Sequence, residues 1–274
     1  MKKRLDILVF EKGLAPSREQ ARAYIMAGQI FVNGQRHDKA GEAVEEDALI
    51  EFQGKKNPYV SRGGLKLEKA LDVFQIDLNE LVCMDVGAST GGFTDCMLKR
   101  GAAKVYAVDV GYGQLAYTLR TDPRVVCMEK TNIRYLEPDK LAELPDFATA
   151  DVSFISLKLV LPVMWALTSP RGRCICLVKP QFEAGRESVG KKGVVRDPAV
   201  HRQVLETVTA FAMETGFSVE GLDFSPIRGP EGNIEYLLYL AKEEMNPLKE
   251  TALKDTIQAL VESSHRALDK EGDS

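Results

Sequence analysis

Four charged residues sit beside apolar runs: Lys66 in Ser61-Arg62-Gly63-Gly64-Leu65-Lys66, Asp151 in Ala150-Asp151-Val152-Ser153-Phe154, Lys179 in Val178-Lys179-Pro180-Gln181-Phe182-Glu183, and Glu235 in Asn233-Ile234-Glu235-Tyr236. Asp151 and Lys179 each follow a strand-like apolar stretch, where a charge is expensive unless a partner neutralises it. Two lysines and two carboxylates gathered in one pocket could take the proton from a weakly acidic hydroxyl. Each ammonium makes the other's charge more costly, which lowers a lysine pKa toward the working range. A lysine that stays charged can hold the alkoxide as it forms. Taken singly, each residue has a plainer reading, such as Lys66 as a surface lysine at a helix start or Glu235 as a pairing charge on an edge strand.

A second chemical signal is the string Asp85-Val86-Gly87-Ala88-Ser89-Thr90-Gly91-Gly92-Phe93, which follows an apolar run. A glycine-rich turn between a first strand and a helix is where open α/β sheets bind nucleotides. The next apolar run ends in Asp109, placed to accept hydrogen bonds from both hydroxyls of a ribose. The glycine spacing is not that of a dinucleotide site, and no Gly-Lys-Ser/Thr follows to cradle a phosphate. A cofactor without phosphate, carrying a cationic amine and a sulfonium, would instead welcome a carboxylate such as Asp85. S-adenosylmethionine fits that description; a dinucleotide site or a purely structural turn stays open on these residues alone.

The elements that must position these groups follow from hydrophobic patterning. Apolar runs at Leu81–Val86, Lys104–Val110, Phe147–Val152 and Cys174–Lys179 alternate with helix-length segments, which predicts a parallel sheet covered on both faces. Phe217–Phe224 and Ile234–Leu240 add two late strands joined by a Pro/Gly-rich connection. Ahead of this lies a smaller unit. Leu5, Leu8 and Val9 repeat at helical spacing up to Gly13, and Ser17 with Gln20 has the spacing of a capping box. Ile30 and Val32 lead into Asn33-Gly34, a strong hairpin signal, and Ala48–Phe52 is a further strand. Arg18 and Arg22 share one face of the second helix. The fold class is therefore α/β, a small α+β domain at 1–55, a polar, basic linker at 56–62 containing Pro58, and a nucleotide-type domain at 63–274.

The run Arg4–Gln35, with Arg4-Leu5-Asp6, Ser17-Arg18, Ala21, Ile25, Gly28-Gln29-Ile30 and Val32-Asn33-Gly34, resembles the S4 RNA-binding domain. That resemblance implies that Arg18, Arg22 and Lys39, with Lys12, grip structured RNA through phosphates and shape. Asp85–Asp95 resembles the first motif of FtsJ-like RNA ribose methyltransferases, whose fold is Rossmann-like. It implies S-adenosylmethionine as cofactor, with Asp85, Gly87 and Ser89 along its methionine half and Gly91 in contact. It also implies Asp109 at the ribose and Asn132 near the adenine, where many members carry an acid. The order Lys66, Asp151, Lys179, Glu235 resembles the catalytic tetrad of the same enzymes. In that reading Lys179 is the base or alkoxide-holding cation, Asp151 anchors it, and Lys66 and Glu235 position a ribose 2′-hydroxyl.

S4-like and FtsJ-like parts joined through Ser61-Arg62-Gly63-Gly64-Leu65-Lys66-Leu67 resemble the TlyA family from about Arg4 to Lys242. The family implies 2′-O-methylation of cytidine in ribosomal RNA, with ribosomal subunits as partners; it also carries a hemolysin label. A non-catalytic RNA-binding protein would be free to lose the tetrad. Between Gly185 and Arg196, Arg186, Lys191, Lys192 and Arg196 face only Glu187, and three glycines suggest mobility. Beside the tetrad this loop is expected to be an RNA-gripping flap that orders on binding.

Composition sets limits on these readings. The 274 residues are 45% hydrophobic and 28% charged, with a formal net charge of −4. The first 40 residues nevertheless carry eight Lys/Arg against four Asp/Glu, and the segment from Glu243 onward four against eight. The opening residues lack the apolar core of a signal peptide, and no apolar stretch approaches the roughly 20 residues of a membrane span. Five cysteines without a CxxC pair argue for a reducing, cytoplasmic setting. His37, His201 and His265 are read as surface residues, and no metal motif is present.

Overall fold

The computed structural model describes residues 1–54, 57–190, 192–243, 245, 247–248 and 250–269. Lys55 at the end of the expected first domain, Lys56 of the expected linker and Lys191 of the expected flap lie outside the described residues. The chain divides into two compact units, Met1–Lys56 and Asn57–Ser274.

In the first unit, β1 (Lys2–Arg4) leads into α1 (Leu5–Glu11) and α2 (Arg18–Met26), followed by β2 (Ile30–Val32), β3 (Gln35–His37), β4 (Ala43–Glu45) and β5 (Ile50–Phe52). Ser17 Oγ accepts from Gln20 N at 3.1 Å and starts α2. Asn33 and Gly34 take positive φ values of 50° and 79°, the geometry of a two-residue hairpin, so β2 pairs with β3. β5 pairs with the other side of β2. Leu5, Leu8, Val9, Ala21, Ile25, Ile30, Val32 and Ile50 bury one core between the helices and this sheet. β1 pairs with β4, a contact between segments about 40 residues apart that local patterning does not announce.

The second unit contains α3 (Gly63–Val73), β6 (Val82–Val86), α4 (Gly92–Lys99), β7 (Lys104–Val108), α5 (Tyr117–Arg120), β8 (Val125–Met128), β9 (Phe147–Ala150), α6 (Leu161–Leu167), β10 (Arg173–Val178), α7 (Pro180–Glu183), α8 (Pro198–Thr215), β11 (Ser218–Phe224), β12 (Tyr236–Ala241) and α9 (Glu250–Asp269). Among the described residues seven strands form one sheet in the order β11-β12-β10-β9-β6-β7-β8. β10, β9, β6, β7 and β8 are parallel, and β12 runs antiparallel to both β10 and β11. Tyr59 and its neighbours, expected in the linker, belong to this unit: the Tyr59 side chain is buried against the core on the α3–α4 side.

Both faces of the sheet are covered over its five inner strands, which is why β12, β10, β9, β6 and β7 are largely apolar throughout, whereas the edge strands β11 and β8 are not. Cys174, Cys176 and Val178 of β10 point toward α6 and α8, where Leu161, Met164, Leu167, Val204, Leu205 and Val208 meet them. Ile175 and Leu177, one residue out of phase, face Leu67, Leu71, Cys96 and Met97 of α3 and α4. Each such leucine taken out of water contributes about 1.5–3 kcal/mol. α9 lays Leu253, Ile257, Leu260 and Val261 on the first of these cores, so the amphipathic C-terminal stretch is a packing helix. No described helix is long and apolar enough to cross a membrane. His201, expected at the surface, is fully buried in α8, because α9 covers the face on which it lies.

The topology prepares the site. From β6 the chain steps outward to β7 and β8, then returns to β9 on the other side of β6. The C-terminal ends of β6 and β9 therefore flank a crevice where such sheets bind ligands. β12 adds a second device. It pairs with β10 in the register Val178↔Tyr236, so the residues just beyond that pair, Lys179 and Glu235, emerge at the same edge.

Candidate active site

Asp151 follows β9, Lys179 follows β10, Glu235 precedes β12, and Lys66 lies in the first turn of α3. They meet. Lys66 Nζ donates to Glu235 Oε2 at 2.6 Å and lies 3.7 Å from Asp151 Oδ2. Lys179 Nζ is 2.6 Å from Asp151 Oδ1 and donates to Ser153 Oγ at 3.1 Å. The result is one alternating chain of charges, Glu235–Lys66–Asp151–Lys179, that ends on a hydroxyl. Glu235 is only 1% exposed, and both lysines are buried. Two positive and two negative groups offset one another, so burial of the set is tolerable where burial of any one would not be.

The expectation that crowding lowers a lysine pKa does not hold for Lys66. Burial works against its charge, but the carboxylates of Asp151 and Glu235 outweigh burial and hold its pKa above the usual lysine value. Opposite charges at contact distance win over the second lysine because Asp151 stands between the two cations.

Two adjoining cavities open at this edge and share Gly87, Ser89, Asp151 and Ser153 among their lining residues. The first, about 330 Å³, contains the four charged residues with Arg62 and Arg228 at its wall. The second, about 480 Å³, is lined by Asp109, Asn132 and apolar side chains including Val86, Val108 and Ile133. Both lie within the roughly 300–1,000 Å³ of small-molecule sites. Asp109 is held for use: its carboxylate accepts from Ser89 N at 2.7 Å and Gly111 N at 2.7 Å. Asn132 Oδ1 accepts from Arg134 N at 3.1 Å and so caps the short turn Ile133–Tyr135. A carboxylate at a mostly apolar cavity suits a nucleoside far better than a phosphate.

The glycine loop is arranged differently from its expected roles. Gly87 has φ +85°, and a Cβ there would lie 2.6 Å from the Asp151 carbonyl oxygen, so this glycine permits the close approach that seats Asp151. Ser89 lines both cavities. Gly91 does not line either; it is buried at the start of α4 with φ +97°, and a Cβ there would run into Leu119. Gly92, the next residue, lines the charged cavity in its place.

Asp85 was expected to offer its charge to a cationic ligand, but it is fully buried at the cavity floor. Its Oδ2 accepts from Thr94 N at 2.9 Å and Thr94 Oγ1 at 2.7 Å, and Thr149 Oγ1 donates to Oδ1 at 3.3 Å. Burial pushes its pKa up to about 7, against the hydrogen bonds from Thr94 and Thr149 and helped by the nearby Asp151 charge. Because the folded state keeps a proton that the unfolded chain releases from about pH 4 upward, this group's stabilisation is lost as pH rises toward 7. Asp85→Asn, which cannot ionise, is therefore expected to gain on wild type by about 2–3 kcal/mol between pH 5 and pH 8. Urea unfolding at the two pH values checks this, and a gap independent of pH would mean that Asp85 is not buried neutral.

The structure adds residues that the sequence reading did not assign. Ser153 is the hydroxyl partner of Lys179. Phe154 is 91% exposed at the mouth of the second cavity, held at φ +64°. A bulky residue in this left-handed region costs of order 1–3 kcal/mol, a cost found at functional sites. Both sit in the string after Asp151, so adjacency to a strand end was the available signal. Arg228 lies in the Pro/Gly-rich connection before β12.

The expected RNA-binding residues divide. Arg22 and Lys39 are exposed in the first unit. Arg18 is exposed as well, but its Nε donates to the buried Asp6 at 3.1 Å, and Arg4 donates to the same carboxylate at 3.0 Å. Those two arginines hold the Asp6 pKa below the usual carboxylate range. Arg18 is thus partly engaged in joining α2 to the start of α1. Lys12 donates to the Ala48 carbonyl at 3.2 Å. In the second unit Arg186 and Lys192 are exposed.

Residues 59–242 match the FtsJ-like methyltransferase family and residues 3–50 the S4 domain. The 16S/23S rRNA (cytidine-2′-O)-methyltransferase TlyA of Mycobacterium tuberculosis is 43% identical over 97% of both chains. The chain belongs to the TlyA family of FtsJ-like methyltransferases. A further relative, YqxC of Bacillus subtilis strain 168, provisionally named an rRNA methyltransferase, is 52% identical over 97% of this chain and 95% of its own length. A solved structure from Streptococcus thermophilus, under a provisional hemolysin name, is 49% identical and superposes with a TM-score of 0.80. It covers 100% of this chain and 99% of its own, so the likeness in fold extends over the whole length.

Proposed function

We propose that this TlyA-family chain transfers a methyl group from S-adenosylmethionine to a cytidine ribose 2′-hydroxyl of ribosomal RNA, acting in the cytoplasm. The observation that carries the reading is the buried chain Glu235–Lys66–Asp151–Lys179 on the floor of a cavity that adjoins a nucleoside-sized one. The names of the relatives supply the class of RNA and the nucleoside.

The residues present fit the cofactor. Asp109 would take the ribose hydroxyls, Asn132 and the apolar lining the adenine, and Gly87 and Ser89 the methionine half, with Asp85 bracing the loop beneath. When bound, the cofactor supplies a methyl group made electrophilic by its sulfonium. Lys179, in its deprotonated amine form, accepts the proton of the 2′-hydroxyl and becomes the ammonium, and Asp151 anchors Lys179 at that spot. Lys66, kept charged by two carboxylates, stabilises the oxygen as negative charge develops, while Glu235 fixes the direction of the Lys66 ammonium. Alignment of two bound reactants provides the larger part of the rate gain. Phe154 offers an exposed ring on which an unstacked base can rest. Arg18, Arg22 and Lys39 of the S4 domain, with Arg186 and Lys192, supply cations to the RNA backbone.

Tritiated methyl transfer from S-adenosylmethionine to purified ribosomal subunits and to naked ribosomal RNA tests the reading. Label mapped by nuclease digestion to 2′-O-methylcytidine is the expected result. No label on any of these substrates, with cofactor binding demonstrated by calorimetry, would overturn it.

A further inference from the structure

Asn233 lies two residues before Glu235, is 1% exposed, and has no place in the tetrad. Both ends of its side-chain amide bond one stretch of the basic loop. Val195 N donates to Asn233 Oδ1 at 3.0 Å, and Asn233 Nδ2 donates to the Gly193 carbonyl at 2.9 Å. One partner is a donor and the other an acceptor, so an amide fits both at once and a carboxylate does not.

Asn233 also closes the turn that walls the charged cavity. Gly229 N donates to the Asn233 carbonyl at 2.9 Å, and a Cβ on Gly229 would lie 2.6 Å from Glu235 Oε1, so that turn rests directly on the tetrad glutamate. Ile227, Arg228 and Pro230 of the same turn line the cavity. A second buried side chain grips the loop beside it. His201 Nε2 is 2.9 Å from the Val195 carbonyl oxygen, and its Nδ1 is 2.7 Å from the Tyr236 hydroxyl. A carbonyl oxygen can only accept, so Nε2–H donates to Val195, and burial, which lowers the His201 pKa, favours the form whose Nδ1 accepts from the Tyr236 hydroxyl. Both backbone groups of Val195 are therefore held by buried side chains, one carried just ahead of β12 and the other on α8. The exposed cations Lys192 and Arg196 flank this clamped Gly193–Val195 stretch.

We infer that Asn233 is a positioning residue for RNA: it sets where Lys192 and Arg196 stand relative to the tetrad by tying Gly193 and Val195 to the turn that covers Glu235. The inference rests on the reading of this site as an RNA methyltransferase. Rigid placement matters here because a phosphate contact aids catalysis only when it holds the target ribose in line with the donor.

The test compares wild type with Asn233→Asp, which keeps the acceptor for Val195 N–H but presents an oxygen to the Gly193 carbonyl. Steady-state methyl transfer to ribosomal RNA, cofactor affinity by calorimetry and thermal melting are measured together. Loss of one buried hydrogen bond in the clamp is expected to raise KM for RNA about tenfold. The value of kcat and the cofactor affinity should stay within about twofold, as expected for an interaction made equally in ground and transition states. RNA binding should show a shallower dependence on salt, because fewer phosphates are met. In a Lys192→Ala/Arg196→Ala background, Asn233→Asp should change KM less than twofold, since the cations it positions are gone. If the aspartate variant fails to fold, Asn233→Ser, which retains a smaller hydrogen-bonding group, is read in the same way. An unchanged KM would overturn the inference, as would an equal effect in the charge-removed background or a parallel loss of cofactor affinity. Wild type that transfers no label would instead overturn the methyltransferase reading itself.

Discussion

Lys179→Ala is expected to lower kcat for methyl transfer by about 10²–10⁴-fold, the usual contribution of a positioned acid–base group. Cofactor affinity should change little, because Lys179 lies in the charged cavity and not in the one lined by Asp109 and Asn132. The fold should survive as well. Asp151 keeps Lys66 at 3.7 Å as a counter-charge and is the least buried carboxylate of the set. The residual rate would come from the bound alignment of donor and ribose, which the substitution leaves in place. Single-turnover transfer with a pH profile checks this. Near-normal activity with an unchanged profile would remove Lys179 from the role of proton acceptor and leave Lys66, held charged by two carboxylates, a poor substitute for it.

Lys66→Ala should behave differently, with a loss of stability as large as its loss of activity. The substitution takes away the ammonium 2.6 Å from Glu235 Oε2 while Glu235 remains almost wholly buried. Breaking a buried pair by removing one partner typically costs about 3–5 kcal/mol, since the other charge is left in low dielectric. The sign with pH follows. A lone buried carboxylate is neutralised by protonation, so the destabilisation should be marked at pH 8 and smaller at pH 5. The double variant Lys66→Met/Glu235→Gln, with neither charge, should recover most of the stability and none of the activity. Denaturant unfolding at both pH values, run beside the transfer assay, separates the two effects. A loss independent of pH that persists in the double variant would assign Lys66 to packing.

These expectations depend on a site whose parts differ in how far local sequence reveals them. Asp85 to Gly92 stands out in the sequence as a glycine-rich turn after an apolar run, although on those residues alone a purely structural turn stays open. The parallel strands are legible because both faces of the sheet are covered and each strand is apolar throughout. β8 is the exception: Val125–Met128 is a short edge strand with an exposed Val126, and its pattern is too weak to stand out from a loop. In the first unit Ser17, Asn33 and Gly34 act on neighbours within three residues, so their cap and turn roles are readable without any tertiary information.

Which residues share a site was legible for the tetrad only through its resemblance to a known set. The physical link between Lys179 and Glu235 is the antiparallel entry of β12 beside β10, and Val178↔Tyr236 is a long-range register that no local pattern encodes. The same holds for charge states. Lys66 is held charged and Asp85 shifted toward neutrality by groups distant in the chain, Asp151 and Glu235 for the first and the surrounding core for the second. Gly91 and Gly92 look alike as letters, yet the turn at the start of α4 buries one and opens the other to the cavity. Arg18 looks like a free cation until Asp6 is found beneath it, and His201 like a surface residue until α9 covers it. Burial period and turn chemistry act between neighbours, so the chain's order of residues was enough to determine its fold class, its inner strands and its tight turns. Partners, protonation and access depend on contacts closed over tens to more than a hundred residues, and only the packed tertiary structure decides them.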